Sequence, residues 1–170
     1  MSLPCLVSAQ TSNAPSSLNL KDEMKWLAGV VDGATGELGI NKINYDLYSY
    51  ENFGYEGCDI SLRETRKFYE NRKLISTRTD DVIIPLGSLV LDSVRLVKVG
   101  ASLYKVSFTA MKPNPLIGSR QKVTYPDGRT ENSYGGREDY GILFREISVA
   151  RRASRALQLG IHSCQSAKKS

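Results

Sequence analysis

Only one histidine and three cysteines stand among the 170 residues. That leaves little from which to build a zinc site or histidine-based catalysis. Cys5, Cys58 and Cys164 are odd in number, far apart and free of any Cys-x-x-Cys spacing. Zinc-ribbon and thioredoxin-like chemistry is therefore not expected. Three scattered thiols suit a reducing compartment and are expected to be free. No stretch approaches the ~18 apolar residues of a membrane helix. The N-terminus lacks a basic region, and its short apolar run is broken by Pro4, which argues against a signal peptide. The expected setting is the cytoplasm or an intracellularly assembled particle, with no membrane contact. Phosphate-loop patterns are missing too. Gly33, Gly36 and Gly39 follow a predicted helix, whereas a phosphate cradle must open one. No cofactor, metal or catalytic residue is expected, and the chain is read as not an enzyme.

Present instead is an ordinary globular composition, 41% apolar and 24% charged. A chain of this length buries roughly 70% of its unfolded surface, enough for a core without staples. Charge is unevenly placed. Residues 1–60 hold 3 Lys/Arg against 8 Asp/Glu, and residues 61–170 hold 20 against 10. From residue 145 onward the bases are Arg145, Arg151, Arg152, Arg155, Lys168 and Lys169, with Glu146 the one acid. Such a field speeds encounters with partners of opposite sign, whether a polyanion or a second copy of the chain.

Periodicity predicts the elements. Leu20, Met24, Leu27 and Val31 mark one face of a helix that Gly33 and Gly36 stop. Two short strand-like runs follow, 37–43 and 45–55. Ser61-Leu-Arg-Glu64 has the form of a capping box and predicts a second helix over about 62–73. Short strands are then expected at 82–84, 89–99 and 102–111, the last with clear alternation. Pro126-Asp-Gly128 marks a turn between strands 122–125 and 129–133. Residues 134–141 read as a loop, 142–149 as a strand and 150–159 as a last helix. The fold class is therefore α+β, a largely antiparallel sheet with two or three helices packed on one face. A single domain is expected over 18–162, between a flexible arm at 1–17 and a basic tail at 163–170.

Two clusters stand out as candidate surfaces. Tyr45, Tyr48, Tyr50, Phe53 and Tyr55 lie within 11 residues, interleaved with Asp46 and Glu51. Negative neighbours repel phosphate, so these rings are expected at a protein interface or in the core. Arg145, Arg151, Arg152 and Arg155 are the expected polyanion-binding residues, the last three as helical neighbours. The segment Arg137-Glu-Asp139, the pair Asp80-Asp81 and His162 are of ligand-binding residue types. None has an identifiable nucleophile or base beside it.

Trp26-Leu-Ala-Gly-Val-Val-Asp-Gly33 resembles the signature helix of the LAGLIDADG homing endonucleases and maturases. The resemblance implies an α-ββ-α-ββ-α order, a dimer joined through Leu27, Gly29 and Val30, and nucleic-acid binding. Asp32 falls on one acidic position of that motif, while the metal-binding acid would fall at Ala34. The implied relative is a degenerate one, without the catalytic acid. The residues themselves favour a self-associating structural or assembly protein, a coat- or scaffold-like, virion-like subunit. RNA or DNA is its expected second partner.

Overall fold

The computed structural model describes residues 17–39, 41–112 and 116–168. The expected arm, apart from its last residue, lies outside them, as do Cys5 and the final two residues. Among the described residues nine strands form two antiparallel sheets, accompanied by two helices. The large sheet runs β1-β2-β3-β4-β7-β8 and the small one β5-β6-β9. The strands are β1 Thr35–Gly39, β2 Tyr45–Glu56, β3 Asp59–Glu70, β4 Lys73–Pro85, β5 Arg95–Gly100, β6 Leu103–Thr109, β7 Ile117–Thr124, β8 Thr130–Arg137 and β9 Asp139–Phe144. Helix α1 spans Ser17–Val31 and α2 spans Ile147–Ala167. Two 3-10 turns, Leu86–Ser88 and Leu91–Ser93, link β4 to β5.

Helix α1 buries Met24, Leu27 and Val31, the face its spacing marks. It packs on β2 and on α2, and α2 packs on the small sheet. Close approach of the helices depends on Gly160, where an added Cβ would come within 2.9 Å of Met24 and of Leu86. Alternation gives the large sheet one buried face, with Tyr48, Tyr50, Ile60, Leu62, Val82, Ile84 and Ile117 directed inward.

The predicted helix over 62–73 is not formed. Those residues lie in β3 and in the hairpin turn that follows it. Register pairs Leu62 with Val82 and Glu64 with Asp80 across β3 and β4, so the segment carries a period of two, with charges at inward positions where apolar residues were expected. The α-ββ-α-ββ-α order implied by the LAGLIDADG resemblance therefore does not hold. Leu27 is fully buried within the subunit, which removes it from any twin-helix contact.

Three further expectations are corrected. Residues 134–141 are not a loop. They form the end of β8 and the start of β9. The last helix extends through Ala167 and so takes in most of the expected tail. Cys58 and Cys164 are joined by a disulfide across 106 residues, tying the β2–β3 turn to the end of α2. Cys58 and Cys164 are therefore not free thiols, and the expectation of a reducing compartment loses that support. The Pro126-Asp-Gly128 turn forms as predicted, with Gly128 at φ +86° and the Asp127 carboxylate accepting from the Arg129 N–H. Among the described residues no helix is long and apolar enough to cross a membrane.

Candidate functional site

The inward face of the large sheet changes character along its strands. One half is aliphatic. The other carries a transverse row in which Tyr50, Glu64, Asp80 and Gln121 are successive register partners. Glu64 and Asp80 are each only 1% exposed. Buried carboxylates persist only where they are paired and hydrogen-bonded. Glu64 pairs with Arg66 and accepts a hydrogen bond from the Tyr140 hydroxyl on β9. Asp80 accepts from Arg78 at 2.7 Å, Arg137 at 3.0 Å and Gln121 at 3.2 Å. Burial opposes ionisation of Asp80, but these donors outweigh it and hold the carboxyl below its ordinary range. Burial, helped by the Glu64 charge, pushes the Tyr140 hydroxyl well above its usual value. Every carboxylate in this row is matched to a donor, so the row is a clamp between the two sheets. It lacks a free nucleophile or base. Asp81, next in sequence, points to the opposite face and pairs with Arg63 at 2.7 Å.

The aromatic cluster largely leaves the surface. Tyr48 and Tyr50 are buried in the core and are not interface anchors. Tyr45 stacks on Tyr69 with centroids 4.8 Å apart, and Phe53 and Tyr55 are half-buried against the core. Sequence spacing could have shown this. Tyr48 and Tyr50 share the inward parity of β2, whereas Phe53 and Tyr55 follow a bulge at Asn52 that breaks it.

The arginines divide as well. Arg152 is engaged within the subunit, bound to Glu23 at 3.0 Å and lying over the Trp26 ring at 4.1 Å. Arg151 and Arg155 are exposed. Arg145 is exposed just past the end of β9 and lines clefts of about 410 and 400 Å³ beside Tyr48 and Thr35, neither of which Arg151, Arg152 or Arg155 lines. His162 is exposed on α2. Among the described residues no three His, Cys, Asp or Glu side chains gather as a metal site.

The feature that sequence reasoning missed is an edge. Four strands end a sheet, and three of those edges are guarded. Strand β5 carries Arg95 and Lys98 and a register shift before Gly100. The Tyr50 hydroxyl reaches the free edge of β9 and accepts its Leu143 N–H at 3.1 Å. Strand β1 is five residues long and faces the β5–β6 turn across a cleft of about 240 Å³. Strand β8 carries Glu131 and Arg137 but is neither shortened nor capped. It is eight residues long and is exposed from Thr130 to Gly136. It contains no proline, lysine or bulge. Its Tyr134 is 71% exposed. Protected edges usually carry such devices, because an open edge offers unpaired N–H and C=O groups to any passing strand. The two glycines of Tyr134-Gly-Gly give this strand a loop-like composition, which hides the edge in the sequence.

The chain matches no known protein family, no curated protein and no solved structure.

Proposed function

We propose that the protein is a non-enzymatic assembly subunit that associates with its own copies through the free edge of β8. The long, uncapped edge carries this reading: among the described residues β1 is shorter, β5 is interrupted by a register shift and β9 is capped by the Tyr50 hydroxyl. Antiparallel self-pairing centred on Tyr134 sets Glu131 opposite Arg137 across the seam, with opposite charges on the same face. One strand pair is a modest contact, so repetition in a symmetric assembly would supply the stability.

Gly135→Lys is the test. An added Cβ there meets open space, so the subunit should fold unchanged. Each new lysine would then lie opposite Ser133 of the other copy and diagonal to its counterpart near the two-fold axis, the protection natural edges use. The wild type should scatter light as a dimer or larger at about 100 μM, and the variant as a monomer with the same melting temperature. A wild-type monomer at that concentration, or a variant of undiminished mass, would refute the reading.

A further inference from the structure

We infer that the outward face of the large sheet is a binding surface for single-stranded nucleic acid. Register places Thr65, Thr79 and Lys122 in one transverse row of that face, and Lys67, Thr77 and Thr124 in the next. The Thr65 row contains no acidic side chain, and the Lys67 row contains one, Glu37 at its β1 end, opposite Leu47. Lys67 and Lys122 are exposed, and neither lies within ion-pair distance of a carboxylate among the described residues. In the adjacent row Arg63 is occupied by Asp81, whereas the Arg120 guanidinium lies 5.3 Å from the centre of the Tyr134 ring. Both helices contact other parts of the molecule: α1 lies on β2 and α2, and α2 on the small sheet. The buried side chains of β2, β3, β4 and β7 all take the opposite parity.

Hydroxyls and lysines in open rows are phosphate ligands by type. A largely exposed tyrosine beside a spare guanidinium offers a stacking surface for a base. Those two features together select a polynucleotide over a simple polyanion. The sheet is six strands broad and cannot enter a duplex major groove, whereas its open rows and exposed ring fit a single strand with unstacked bases. A protein partner is disfavoured, because interface cores are depleted in lysine. The surface exists within one subunit and does not require β8 pairing.

The test is fluorescence anisotropy with a labelled uridine oligomer of about 20 nucleotides, at about 50 and 200 mM salt. Lys67→Glu combined with Lys122→Glu should weaken binding about tenfold or more and flatten its salt dependence. Arg151→Glu with Arg155→Glu, on α2, should change it less than about threefold. Light scattering on both variants should give the wild-type mass, so the outcome for binding is read apart from that for assembly. If charge reversal on the sheet fails to fold, Lys67→Gln with Lys122→Gln gives the same comparison, with a loss of about threefold to tenfold. Lack of wild-type binding at low salt, tighter binding of a duplex of the same length, or a loss on α2 equal to that on the sheet would each overturn the inference.

Discussion

Among the described residues the buried Tyr48 hydroxyl has no hydrogen-bond partner. It rests on Gly36, and any Cβ at that glycine would overlap it. Burial, partly offset by the Arg145 charge, pushes its pKa up to about 12. An unsatisfied buried hydroxyl costs about 1–3 kcal/mol, whereas removing the group leaves only a small void. Tyr48→Phe should therefore stabilise the fold by about 1 kcal/mol, read as a higher urea midpoint with an unchanged slope. A lower midpoint would show that the hydroxyl has a partner in solution. Residue type alone marked Tyr48 as an interface anchor. Its burial follows from its parity on β2, a property of the strand and not of the residue.

Among the elements, α1 and the alternating β6 were legible because apolar spacing alone defines them. Strand β3 was not. Its inward positions hold Glu64 and Arg66 after Ile60 and Leu62, so the apolar period breaks where the ion pairs begin. Its hairpin turn hid as well. Asn71 and Arg72 both take positive φ, +50° and +61°, where Asn-Gly would have announced the turn. The same buried charges make β4 sensitive to acid. Asp80 titrates below its unfolded value of 3.8, so its contribution is fully present above about that pH and is lost as pH falls through the lower folded value. Stability should accordingly drop on acidification below about pH 3.8, as followed by circular dichroism. Asp80→Asn should lose about 3 kcal/mol at neutral pH, because it leaves Arg78 and Arg137 facing a neutral group. It should also show a shallower decline in acid. An equal acid slope in both proteins would assign the effect elsewhere.

For the whole molecule, the antiparallel, α+β character was readable in the turn signals and alternation, but the division into two sheets was not. That division depends on contacts as remote as Tyr140 with Glu64, 76 residues apart, which no local pattern encodes. The charge asymmetry along the chain is partly closed inside the subunit, where Glu23 of the acidic part meets Arg152 of the basic part. Long-range closure is also the contribution of the Cys58–Cys164 bond. A loop of about 100 residues closed in this way gains about 4–5 kcal/mol from the restricted unfolded chain. Cys58→Ser with Cys164→Ser should lose about 2–5 kcal/mol in urea melts, and reductant should act on the wild type but not on the variant. Absence of any difference under reductant would mean that the bond does not form. With it in place, β3 through most of α2 lies inside a covalent ring. One protease cut anywhere in that ring linearises it without releasing a fragment, so a nicked subunit would run as a single band on a gel until thiol is added. A chain closed in this way holds together through scission that would dismantle a fully reduced one.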